Sequence, residues 1–77
     1  MADFNERIVI DPEIMLGKAV IKGTRIPVYL ILDLLAAGRS FSQIIDDYPE
    51  LTEEDIKAAI EYASYVTKYE EVKIVGD

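Results

Sequence analysis

The chain has 77 residues and a net charge of −7, with 51% of the residues hydrophobic, 30% charged and 9% aromatic. A chain this small buries only roughly 60–65% of its unfolded surface, which leaves room for one core and excludes a second domain, and the apolar fraction excludes intrinsic disorder. The absence of cysteine rules out a disulfide framework or thiolate metal site, and the absence of histidine removes the commonest metal ligand and general base.

In chain order, Arg7-Ile8-Val9-Ile10 is short and β-branched and ends at Asp11-Pro12, which predicts a first strand. Ala19-Val20-Ile21 predicts a second, closed by a Lys22-Gly23 turn in which glycine permits positive φ. Thr24-Arg25-Ile26 forms a third strand or leads on to a helix that begins near Pro27, a residue suited to the first helical position. Positions 28, 31, 32 and 35 follow helical spacing, and Leu30 and Leu34 widen the stripe, so this helix is expected to be central and largely buried. Gly38 is placed to cap it. Ser40 then opens a short helix carrying Phe41, Ile44 and Ile45, which Pro49 stops. Thr52-Glu53-Glu54-Asp55 starts a third helix, with carboxylates where the helix dipole favours them, a core stripe of Ile56, Ala59, Ile60 and Ala63, and an end near Lys68. The fold class is α+β in one domain over 1–77: a β-hairpin region at 8–26, a tri-helical core at 27–68 and a tail at 69–77. The helix spacing fits a helix-turn-helix and equally any other three-helix packing.

Charge is unevenly spread. Residues 1–40 balance five basic against five acidic side chains, whereas residues 41–77 set Lys57, Lys68 and Lys73 against ten carboxylates. The runs Ile10-Asp11-Pro12-Glu13, Gly17 through Val28, Leu34 through Gly38 and Tyr48 through Ile56 resemble a prokaryotic family of domains of unknown function, DUF433. Gly-Thr-Arg-Ile-Pro-Val and Tyr-Pro-x-Leu-Thr-x-Glu-Asp-Ile are its most specific segments. The resemblance implies a homeodomain-like helix-turn-helix and the role of an antitoxin that neutralises a PIN-like ribonuclease. Two positions depart from the family pattern: Leu16 stands where a second glycine is usual and Ala19 where a proline is usual, so the loop before the second strand is expected to differ in shape.

Candidate nucleic-acid contacts are Lys18, Lys22, Arg25 and Arg39, because phosphate binding needs cations and the start of the third helix offers carboxylates instead. For Arg25 the plainer expectation is an ion pair with Asp11 or Glu13. Tyr62, Tyr65 and Tyr69 recur at i, i+3 and i+7, roughly opposite the aliphatic stripe, so either the hairpin packs over them or they form a protein interface. Val72 and Ile74 in the alternating tail are further interface candidates, as an edge strand added to a nuclease or as a strand paired with residues 7–10. Nothing supports catalysis: successive carboxylates at Glu53–Asp55 diverge around a helix, and Gly17 and Gly23 are too isolated to form a phosphate loop. The expectation is a cytoplasmic, non-enzymatic protein without cofactor, metal or membrane segment. Its expected partners are a PIN-like ribonuclease and a second copy of itself, with operator DNA as a further partner if it autoregulates its operon. The alternatives are a DNA-binding regulator without a toxin partner and a dimeric scaffold.

Overall fold

The computed structural model describes residues 2–69. Three short antiparallel strands, β1 (Ala2–Asp3), β2 (Ile8–Ile10) and β3 (Ala19–Ile21), form a sheet in the order β1-β2-β3. The hairpin of β2 and β3 lies where β-branching predicts it, with Ile8 opposite Ile21, Val9 opposite Val20 and Ile10 opposite Ala19. β1 adds a strand that the sequence does not announce, pairing Ala2 with Ile10 and Asp3 with Val9. Asn5 makes the return possible: its side-chain carbonyl accepts the N–H groups of Arg7 (2.8 Å) and Ile8 (2.9 Å), holding a turn as short polar side chains do. β2 lies between β1 and β3. Of the tail expected at 69–77, residues 70–77 and the strand expected there lie outside the described residues.

Thr24-Arg25-Ile26 is a lead-in rather than a third ladder. The Ile21 N–H donates to the Ile26 carbonyl at 3.0 Å, and Thr24 Oγ1 both donates to the Ile21 carbonyl (2.8 Å) and accepts from Ile26 N–H (3.0 Å). Pro27 sits one place earlier than expected, as the N-cap of α1 (Val28–Ala36) with extended backbone. Gly38 at φ +90° ends α1 in a Schellman arrangement, in which Gly38 N–H donates to the Leu35 carbonyl and Arg39 N–H to the Leu34 carbonyl, both at 3.0 Å. Ser40 and Gln43 then form a capping box on α2 (Phe41–Asp47), and Thr52 and Asp55 form another on α3 (Glu53–Lys68).

The core lies between the sheet and the helices, which pack pairwise on one another: Ile8, Ile21, Ile31, Ile44, Leu51 and Ile56 are its fully buried large side chains. The opposite side of the hairpin is also covered, since Val9 and Val20 are buried and Ile14 folds beside Val9. α1 is less enclosed than its sequence implies. Val28 and Ile31 are buried, its leucines are half-buried, and Tyr29 is exposed. The stripe expected on α3 is also corrected: Asp55, Ile56, Ala58 and Ala59 are buried, whereas Ile60 is 41% exposed. Arg7, leading into β2, reaches Asp55 on that inward side of the helix, and Ile60 lies about 140° around the helix from Asp55. Among the described residues, no helix is long and apolar enough to cross a membrane.

Candidate interaction surfaces

Three surfaces bear chemistry. The first is aromatic. At 100° per residue, the buried positions 55, 56, 58 and 59 place Tyr62, Val66 and Tyr69 on the core-facing side of α3 and Tyr65 at its margin, and not opposite it as the letter pattern suggests. α3 outruns the domain, so that side is progressively uncovered toward its end. Tyr62 packs against the core, while Tyr65 is 51% and Tyr69 68% exposed. Cover comes from Phe4, in the segment between β1 and β2. Its ring stands edge-on to Tyr62 at 5.2 Å and tilted to Tyr65 at 5.0 Å, and Tyr65 meets Tyr69 at 4.8 Å. The cover expected from the hairpin is instead given by Phe4, which precedes it and packs on Tyr62 and Tyr65. Val72 and Ile74 lie outside the described residues.

Beside Tyr62 opens a cavity of about 300 Å³ walled by Gly17, Lys18 and Ala19 on one side and Val28, Tyr29 and Leu32 of α1 on the other. The Lys18 ammonium lies 5.7 Å from the centre of the Tyr29 ring, a cation–π contact. Leu16, in the turn Met15–Gly17, immediately precedes the first residue of the cavity wall. It is the only described non-glycine residue with positive φ (+57°), and it is 96% exposed. A leucine in that conformation costs roughly 1–2 kcal/mol, and its exposed side chain recovers nothing within the monomer.

The second surface carries the cations. The four candidates are not gathered into one patch: Lys18 is at the cavity, Arg39 pairs with Asp47 beyond α1, and Lys22 and Arg25 lie in the turn that follows β3. Arg25 forms no ion pair among the described residues. The Asp11 carboxylate expected to hold it accepts the Glu13 N–H instead, at 2.9 Å. Arg25 lines a shallow recess with Val9, Ile14, Gly23, Thr24 and Glu50.

The third surface is acidic. Asp46, Asp47, Glu50, Glu53 and Glu54 are all exposed along α2, the following turn and the start of α3. Among the described residues, two cations serve these five carboxylates: Arg39 pairs with Asp47, and Lys57 Nζ lies 3.4 Å from Glu53 and 4.0 Å from Glu54. Asp55 does not belong to this surface. Its two carboxylate oxygens accept from Arg7 Nη1 at 2.9 Å and from the Thr52 N–H at 3.0 Å. Sequence reasoning grouped Asp55 with its acidic neighbours, although the Thr-x-x-Asp spacing of a capping box was already visible. Among the described residues, no group of three or more His, Cys, Asp or Glu is placed to hold a metal ion.

Residues 8–63, which hold the hairpin, the cavity walls and most of the helices, match the family described as Protein of unknown function (DUF433). The chain belongs to that family. Over 63 residues, 82% of this chain, it is 36% identical to the uncharacterized protein y4eO of Sinorhizobium fredii, and the match spans 28% of that protein. The crystal structure of a DUF433 member protein from Anabaena variabilis is similar at a TM-score of 0.76 and 34% identity, covering 80% of this chain and 61% of that one. This chain thus spans less than two thirds of either relative. The part matched to DUF433 takes in Tyr62 and the cavity but stops short of Phe4, Tyr65 and Tyr69. Leu16, where the DUF433 resemblance expects glycine, occupies a left-handed backbone position that glycine fills without strain.

Proposed function

We propose that this DUF433 protein is a protein-binding antitoxin, neutralising a PIN-like ribonuclease by occupying its RNA-binding cleft. The observation that carries the reading is the acidic surface of α2 and α3, five exposed carboxylates served by two paired cations. A cleft that binds RNA must be positive, so such a surface is attracted to it over a Debye length and docks in competition with phosphate. The exposed Tyr65, Val66 and Tyr69 supply apolar contact area, with hydroxyl groups able to stay wet at the interface rim.

The same surface argues against reading DNA with α3. In a helix-turn-helix of α2 and α3, the first turn of α3 would bring Glu53 and Glu54 toward the phosphates. Autoregulation of an operon, if it accompanies neutralisation, therefore falls to the cations outside α3, at Lys18, Lys22, Arg25 and Arg39.

The test asks first whether the neighbouring gene encodes a PIN-like nuclease and then whether the full chain inhibits that enzyme on single-stranded RNA. The wild type should inhibit. Glu50→Lys, Glu53→Lys and Glu54→Lys combined should weaken inhibition by about tenfold or more, and rising salt should erode wild-type inhibition more than that of the triple variant. An uninhibited nuclease at saturating protein would refute the reading.

A further inference from the structure

The cavity between Gly17–Ala19, the start of α1 and Tyr62 has beside it a feature that the monomer leaves unused. Leu16 is the one described side chain held out in a left-handed backbone conformation, 96% exposed, and it immediately precedes Gly17 in the wall of a recess lined also by Ala19, Val28, Leu32 and two tyrosine rings. A projecting apolar side chain and an apolar recess on one face are the two halves of a self-complementary contact. A two-fold axis passing between them places each projection in the other copy's recess, as an isologous interface requires. At about 300 Å³ the recess is large enough, since a cavity of roughly 150 Å³ already admits benzene.

The charges of this face agree. Lys18 stands on one wall, and Asp33, exposed one helical turn beyond Tyr29, flanks the other. The two form no ion pair within one copy, and exchange across a two-fold axis sets each cation against the partner's carboxylate. The face is thus neutral in itself, while the excess negative charge of this −7 chain is concentrated on α2 and the first turn of α3. A cationic partner would be drawn to that acidic surface, whereas a second copy meets no like charge at the cavity.

We propose that the protein forms a two-fold dimer in which Leu16 of each copy enters the cavity of the other. Lys18 and Asp33 pair across the axis. This interface leaves the acidic surface open and does not rest on the antitoxin reading.

Sedimentation of the full chain over roughly 1–100 µM should show a monomer–dimer equilibrium. Leu16→Gly should raise the dissociation constant by about tenfold or more while circular dichroism shows an intact fold. Because glycine suits the backbone there, a purely structural role for Leu16 predicts a monomer at least as stable and no change in association. Lys18→Glu and Asp33→Lys should each weaken the dimer, and the double swap should restore it. A wild-type monomer at the highest concentration would overturn the proposal and leave the cavity to a partner of other sequence. A Leu16→Gly protein that dimerises like wild type, or a double swap that stays weak, would overturn it as well.

Discussion

Asp55 shows how one residue in an acidic run differs from its neighbours. Glu53 and Glu54 point into solvent and share Lys57, whereas Asp55 is buried, closes the capping box with Thr52 and accepts from Arg7, 48 residues away. Replacing it with alanine removes a cap and a charge-assisted hydrogen bond together. Asp55→Ala should cost about 2–3 kcal/mol, lowering the melting temperature by roughly 8–24 °C. Glu54→Ala, followed by the same thermal melt, should change it by less than about 0.5 kcal/mol. The cap was legible in the spacing Thr-x-x-Asp, but the pair with Arg7 was not, because it depends on β2 running past the start of α3. Leu16 was legible only as a departure from an expected glycine, and its backbone supplies the reason. In urea denaturation at concentrations low enough to keep the chain monomeric, Leu16→Gly should gain about 1 kcal/mol by relieving the left-handed strain.

Element boundaries follow the signals that glycine, proline and small hydroxyl residues leave in the sequence. Ser40, Thr52 and Gly38 each act where their chemistry places them, because a cap is a local bargain between a side chain and the backbone groups beside it. The faces of the helices were harder to read. On α3, apolar letters at 56, 59, 60 and 63 suggested a stripe turned away from the side the fold buries, since Ala58 and Asp55 carry no strong hydrophobic signal and yet lie inward. Only the position of the sheet decides between these faces. Gly38 offers a clean measure of one element's end. A Cβ there meets nothing within 4 Å, so a substitution is penalised by its φ of +90° and by no clash. Gly38→Ala should therefore destabilise by about 1 kcal/mol, and Gly38→Asn by less, because asparagine tolerates the left-handed region. Chemical denaturation of the two variants beside wild type, with the slope unchanged, measures the difference.

At the scale of the whole molecule, the N-terminal segment acts as a strap along α3. Read backward from β2, Arg7 bonds Asp55 in the first turn, Asn5 donates to Glu61 at 2.8 Å, and Phe4 packs on Tyr62 and Tyr65. The chain thus climbs the helix over about three turns and covers the stretch where α3 leaves the core. Residues 2–5 alternate apolar and polar side chains, but the run is only four residues long and Phe4 is its one large apolar member, so this part of the fold was not legible in the sequence. It arises from Asn5 turning the backbone so that β1 can pair with β2. If the strap holds the outer half of α3, removing it should loosen that half selectively. Phe4→Ala with Asn5→Ala should cost about 2 kcal/mol, less than a fully buried phenylalanine because Phe4 is only half-buried. Native-state hydrogen exchange should then show amides 61–68 opening faster, while those of α2, fastened by Ser40 and Gln43, change only by the loss in global stability. Uniform acceleration of every slow amide would mean that α3 and the core open as one unit, with the strap contributing only to the total.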